Sequence, residues 1–164
     1  MEFEGEYYLR SVWELSFQDI QEKEGSEELS VVNIGGKTKE EMKGIIYIGR
    51  VNVRKKLPES PFANPFKLSS NLSSERIKVV YDYFYHFYTK MKSESDFLEK
   101  VLALRGKTLG CWCKPYICHG DIIVNFLQAT EGKLIEDIRE LIDFRLSFLP
   151  LDISDFVSDL CKWS

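Results

Sequence analysis

The chain has 164 residues, 44% apolar and 13% aromatic, which suits one domain with a sizeable core. It has no run of about 18 apolar residues, and its opening MEFEGEYYLR is acidic where a secretory signal is basic and then apolar; the expectation is a soluble, cytoplasmic protein with no membrane partner. The formal net charge of −4 argues against a polyanion binder, yet the charge is unevenly placed: residues 1–28 hold nine acids and two bases, 29–130 nine acids and sixteen bases, and 131–164 eight acids and four bases.

In chain order, residues 1–28 read as an acidic N-terminal extension with a short helix before Gly25. A core domain follows over 29–130. Leu29–Gly36 (LSVVNIGG) and Gly44–Gly49 (GIIYIG) are β-branched runs closed by glycine and read as buried strands. The Gly-Lys-Thr after the first of them is no P-loop, because that motif needs glycine where Val31 stands. Arg50–Leu68 carries three prolines and reads as a long, mobile basic loop.

Ser73–Met91 opens with a serine cap and places Ile77, Val80, Phe84 and Phe87 at helical spacing. Its YDYFYHFY run reads as core, with His86 as a structural histidine. A second helix follows from Ser93 to Gly106. KTLGCWC is a third strand and GDIIVNFLQAT the helix after it. Residues 131–164 form an acidic helical C-terminal extension that puts Leu134, Ile135, Ile138, Leu141, Ile142 and Leu149 on one face and breaks at Pro150. That face could pack on the core or form a homodimer contact. Strands separated by helices imply an α/β fold: a small three-layer Rossmann-like sandwich with a mostly parallel sheet, plus helical N- and C-terminal extensions.

Gly110–Asp121 (GCWCKPYICHGD) gathers three of the four cysteines and one of the two histidines. In an extended strand Cys111 and Cys113 share a face about 6.5–7 Å apart, and Trp112 points the other way, into the core. The end of this strand is where an open α/β sheet binds ligands. Cys118, His119 and Asp121 open the next helix, whose free amides and dipole favour anions. Cys111, Cys113, Cys118 and His119 could alternatively hold one zinc, although Cys-x-Cys-x4-Cys-His lacks the usual two-residue knuckle.

The blocks SVVNIGGK, IIYIGR, SPFANPF and KTLGCWCKPYICHGDIIVNFL, in this order, resemble the family catalogued as domain of unknown function 4326, a small α/β domain of bacteria, their viruses and other DNA viruses. The resemblance covers about residues 29–128. It picks out Asn33, Gly49, Arg50, Asn64, Pro65, Phe66, Cys111, Cys113, Cys118, His119, Gly120 and Asp121. The chain departs from the family at Val51, where proline is usual, and at Ala63, where glycine is usual.

The expected function is an enzyme acting on a nucleotide, a nucleoside or nucleic acid, by cleavage or transfer at a glycosidic bond. Arg50, with Arg54 and Lys67 of the basic loop, would hold phosphate, and Gly49, Asn33, Asn64, Cys111 and Cys113 would line the ligand site, with turn chemistry the equal alternative for the two asparagines. His119 would be the general acid or base, Asp121 its orienter or a ribose contact, and Cys118 or Cys113 a nucleophile or a wall of the pocket. The alternative is a non-catalytic zinc-stabilised module that binds nucleic acid or protein.

Overall fold

The computed structural model describes residues 30–147. Three short strands, β1 (Ser30–Asn33), β2 (Ile45–Tyr47) and β3 (Thr108–Cys111), form one parallel sheet in the order β1-β3-β2. Asn33 stands opposite Cys111 and Tyr47 opposite Gly110, so all three strands finish at one edge. Four helices complete the described residues: α1 (Ser73–Ser93), α2 (Ser95–Leu102), α3 (His119–Ala129) and α4 (Ile135–Ser147). The expected helix near the start and the segment beyond Pro150 lie outside them. None of these helices is long and apolar enough to cross a membrane.

Only the central strand is buried. β1 and β2 were expected to be buried strands but their side chains are half-covered or exposed, because each is a sheet edge. The fully covered residues are Ile34 and Ile48, the first after each edge strand, whose amides still donate to Cys111 O and Gly110 O.

The core is aromatic. α1 is its hub and contacts the other three helices. Its stripe of Ile77, Val80, Tyr83, Phe84, Phe87, Tyr88 and Met91 is buried, as helical spacing predicts. Phe87 and Tyr88 meet Phe126 of α3 edge-on at 5.8 and 5.7 Å, and Phe97 of α2 closes on Phe87 at 5.9 Å. α4 packs on α1 through Ile138 and Ile142, and its buried Arg145 reaches Tyr88 and Asn125. Leu134 and Ile135 stay exposed.

Both ends of α3 are fixed. Arg105 donates to Leu127 O, Thr130 O and Thr130 Oγ1 at 2.8–2.9 Å, which satisfies the last-turn carbonyls that a helix leaves open. The first turn lies against the sheet, where a Cβ on Gly120 would stand 2.8 Å from both Val31 Cγ2 and Ile48 Cδ1. Val31 is β-branched and has little rotamer freedom to give way.

The loop after β2 is ordered. Asn52 and Leu57 pair across a short turn, Lys55 N–H donates to Asn52 Oδ1, and Ser60 N–H returns to Gly49 O. Phe62 is buried and its carbonyl accepts from Tyr83 Oη at 2.8 Å. The Gly-Lys-Thr segment is also structural: Thr38 N–H donates to Glu41 Oε2 and Glu41 N–H to Thr38 Oγ1, a capping-box arrangement.

Replacing Gly120 with alanine should destabilise the fold by about 1–3 kcal/mol through overpacking at Val31. Urea denaturation measures it, and a loss below about 0.5 kcal/mol would show that the helix can lift away freely.

Candidate functional site

Because the strands are parallel, their C-terminal ends and the N-terminus of α3 converge. They enclose a cleft of about 130 Å³, whose walls include Gly49, Arg50, Asn64, Phe66, Arg76, Cys111, Trp112, Cys113, Cys118 and His119. Seven of the residues expected at the site therefore meet in one place: Gly49, Arg50, Asn64, Cys111, Cys113, Cys118 and His119. Asn33, Arg54, Lys67 and Asp121 are not in its walls.

The excluded residues have other partners or positions. Asn33 donates from Nδ2 to Lys114 O at 2.5 Å and accepts from Gly35 N at 2.7 Å, which ties the end of β1 to the turn after β3. Asp121 accepts from Cys118 N–H at 3.0 Å and pairs with Lys114 Nζ. It closes a capping box at the start of α3 from the N3 position, with Cys118 as the N-cap. Burial acts to lower the pKa of Lys114, but the Asp121 carboxylate outweighs it and the pKa is raised. Arg54 and Lys67 are exposed on the loop. Asn64 lines the cleft with its polar atoms engaged, Nδ2 to Val79 O and Oδ1 from Phe66 N. This is turn chemistry.

His119 is buried, and its Nε2 lies 2.7 Å from Ile48 O. A carbonyl only accepts, so Nε2 carries the proton and a neutral ring leaves Nδ1 as an acceptor. Burial lowers the His119 pKa, the Ile48 bond and Asp121 pull it partly back, and Arg50 lowers it further. The edge of the ring meets Tyr83 at 4.9 Å between centroids.

The three thiols are free. Cys111 Sγ lies 3.3 Å from Cys118 Sγ, and the Cys113 thiol acts on the Cys111 pKa. For Cys111 the effect of Cys113 acts downward, but the Cys118 contact and burial win and push its pKa up to about 11. The Cys113 pKa is raised by Cys111 and by burial, against the pull of Arg76. Both are neutral thiols at physiological pH. Among the described residues no group of three or more His, Cys, Asp or Glu side chains is placed to hold a metal ion. The zinc reading of Cys111, Cys113, Cys118 and His119 therefore does not fit this arrangement, and His119 already gives its Nε2 to a backbone carbonyl.

Trp112 departs from expectation. The residue is 38% exposed instead of being core, its Nε1 donates to Tyr47 Oη at 2.9 Å, and Lys55 Nζ lies 5.1 Å from the ring centroid. Tyr47 Oη donates in turn to Arg50 O at 2.6 Å. That phenol occupies the space a Cβ on residue 49 would need, 2.4 Å away, which explains the glycine there. Ala63, which stands where the family pattern has glycine, needs no special backbone, because Lys56 is the one non-glycine with positive φ among the described residues.

Sequence reasoning missed Arg76. It lies in the first turns of α1, lines the cleft, pulls against the raised Cys113 pKa and sits 4.7 Å over the Tyr116 ring. The available signal was its phase: residue 76 is one turn before Val79 and Val80 and two before Tyr83, so a cation stood on the apolar face.

Residues 32–129 match the family described as Domain of unknown function (DUF4326), and the chain belongs to it. It is similar to an uncharacterized protein of Acanthamoeba polyphaga mimivirus, with 29% identity over 96 residues, which span 52% of this chain and 68% of that protein. No solved structure matches it.

His119 stays neutral in the fold while an unfolded chain protonates it below about pH 6.5, so folding stability should fall as pH drops through that value. His86, whose pKa is lowered first by burial and then by Lys90, acts in the same direction. In the His119→Gln variant the loss between about pH 6.5 and 5 should shrink but persist; chemical denaturation at stepped pH reads it, and an unchanged slope would mean His119 does not titrate this way. Asp121→Ala should cost about 0.5–2 kcal/mol of stability, as loss of a helix cap does, and a stability equal to the parent would return Asp121 to the list of candidate reacting groups.

Proposed function

We propose that the cleft binds the phosphate-bearing part of a nucleotide or nucleic acid, and that the chain is a nucleotide- or nucleoside-processing domain. The observation that carries this reading is the sign of the cleft's walls: Arg50 and Arg76 line it together and no carboxylate does. A guanidinium matches phosphate oxygens with paired donors. The N-terminus of the 11-residue α3 opens at the same place and adds the same sign of field. The parallel strands ending behind the cleft also support the Rossmann-like description of the fold, in which ligands sit at the strand C-termini.

Among the expected reacting groups His119 is the best placed. It is neutral, oriented by Ile48 O, and offers Nδ1 as a proton acceptor. Cys118 fits a wall better than a nucleophile, since it is 2% exposed and its sulfur faces Cys111. Glycosidic-bond cleavage by a carboxylate pair gains no support from the cleft, whose walls contain no Asp or Glu. Transfer or hydrolysis assisted by a single imidazole is the chemistry these residues favour.

Calorimetric titration of inorganic phosphate, nucleosides and nucleoside monophosphates tests the reading. The phosphate-bearing ligands should bind and the nucleosides should bind more weakly, and Arg50→Ala or Arg76→Ala should each weaken phosphate-dependent binding about tenfold, as loss of a charge-assisted contact does. Equal affinity of the double-alanine variant for these ligands would overturn the anion clamp.

A further inference from the structure

The cleft is too small for a whole nucleotide, and its rim is aromatic. Its volume of about 130 Å³ lies well below the roughly 300 Å³ at the lower end of small-molecule pockets. A ligand anchored there by one phosphate must therefore leave most of its surface on the rim. Phe66, Tyr85, Trp112 and Tyr116 are the large aromatic side chains exposed among the described residues. Three of the four gather here: Phe66 and Trp112 are in the cleft walls, and Tyr116 lies under Arg76.

We infer that the occupant is single-stranded nucleic acid, with a phosphate between Arg50 and Arg76 and neighbouring bases stacked on Trp112, Tyr116 and Phe66. The inference rests on the anion-site reading above and deepens it. A free nucleotide has one base to stack, whereas this rim offers several rings. Two of them are paired with cations: Arg76 lies 4.7 Å over Tyr116 and Lys55 Nζ 5.1 Å over Trp112. Each pair combines a π surface with a positive charge, which is what successive nucleotides present partners for. Tyr116 is 62% exposed, with the Arg76 guanidinium against its ring. Hydrogen bonds hold the platforms in place: Trp112 to Tyr47, and the Phe66 amide to Asn64. A duplex keeps its bases stacked on one another and so cannot use them.

The test measures affinities of the full chain by fluorescence anisotropy and competition, with thymidylate and uridylate oligomers of about eight nucleotides, the matching mononucleotides, a duplex of equal length and inorganic phosphate. The oligomers should bind at least tenfold more tightly than the mononucleotides or duplex. The DNA and RNA arms identify which strand is preferred. In Tyr116→Ala the ratio of oligomer to mononucleotide affinity should fall several-fold, and Trp112→Phe, which keeps a ring in place, should lower it less. Oligomers no tighter than mononucleotides, a duplex bound equally well, or an undiminished ratio in Tyr116→Ala would each overturn the inference while leaving the phosphate site standing. Failure of phosphate, mononucleotide and oligomer alike to bind would overturn both.

Discussion

Everything at the strand ends depends on how closely α3 approaches the sheet. Gly120 leaves room for Val31 and Ile48 to press against the helix backbone. With the helix that near, His119 reaches Ile48 O at 2.7 Å and Cys118 reaches the Cys111 sulfur at 3.3 Å. Asp121 then closes the turn by accepting from the Cys118 amide and pairing with Lys114, while Asn33 holds the Lys114 carbonyl from the far side. The Lys114–Pro115 peptide within this turn is cis. A sheet of only three strands, two of them edges, gains a fixed end from these contacts, and the site inherits that rigidity.

The same constraint assigns roles within the cysteine and histidine cluster. Cys111, Cys113 and Cys118 act as packing with weak polar links, and raised pKa values keep the Cys111 and Cys113 thiols neutral. The charge at the site comes instead from Arg50 and Arg76, which approach from the end of β2 and the start of α1. No carboxylate lines the cleft with them to oppose their field. Burial of His119 follows the same logic, since a protonated imidazole beside Arg50 would be both desolvated and repelled.

What could be read from the sequence was whatever depends on local pattern. The three strands, the aromatic stripe of α1 and the start of α3 follow from period and composition, and parallel strands then bring Gly49, Arg50, Cys111, Cys113, Cys118 and His119 to one edge. What could not be read depends on which partner a side chain finds in three dimensions. Nothing local distinguishes Asp121 as a cap from Asp121 as a base until Lys114 is seen to fold back on it. Asn33 and Asn64 could equally be ligand readers or turn residues by sequence, and both spend their amides on backbone groups. Trp112 was assigned to the core by alternation along β3, but the strand ends at Cys111, so the alternation no longer governs the residue after it. Arg76 went unnoticed because a cation on an apolar helix face is usually a snorkelling surface residue.

The long loop shows how the chain joins these pieces. Its basic residues do not act as one patch. Lys55 turns inward, donates to Ile34 O at 3.1 Å and lies over Trp112, whereas Arg54 and Lys67 face solvent. Lys55 thus links three parts of the strand-end region: the end of β1, the loop after β2 and the residue after β3. Tyr47 makes a second link, accepting from Trp112 and donating to Arg50 O, so the exposed indole and the backbone that carries the cleft's first guanidinium share one phenol. Trp112 and Arg50 are therefore positioned relative to each other by a single short network. A ring exposed merely by chance would not need to be held this way.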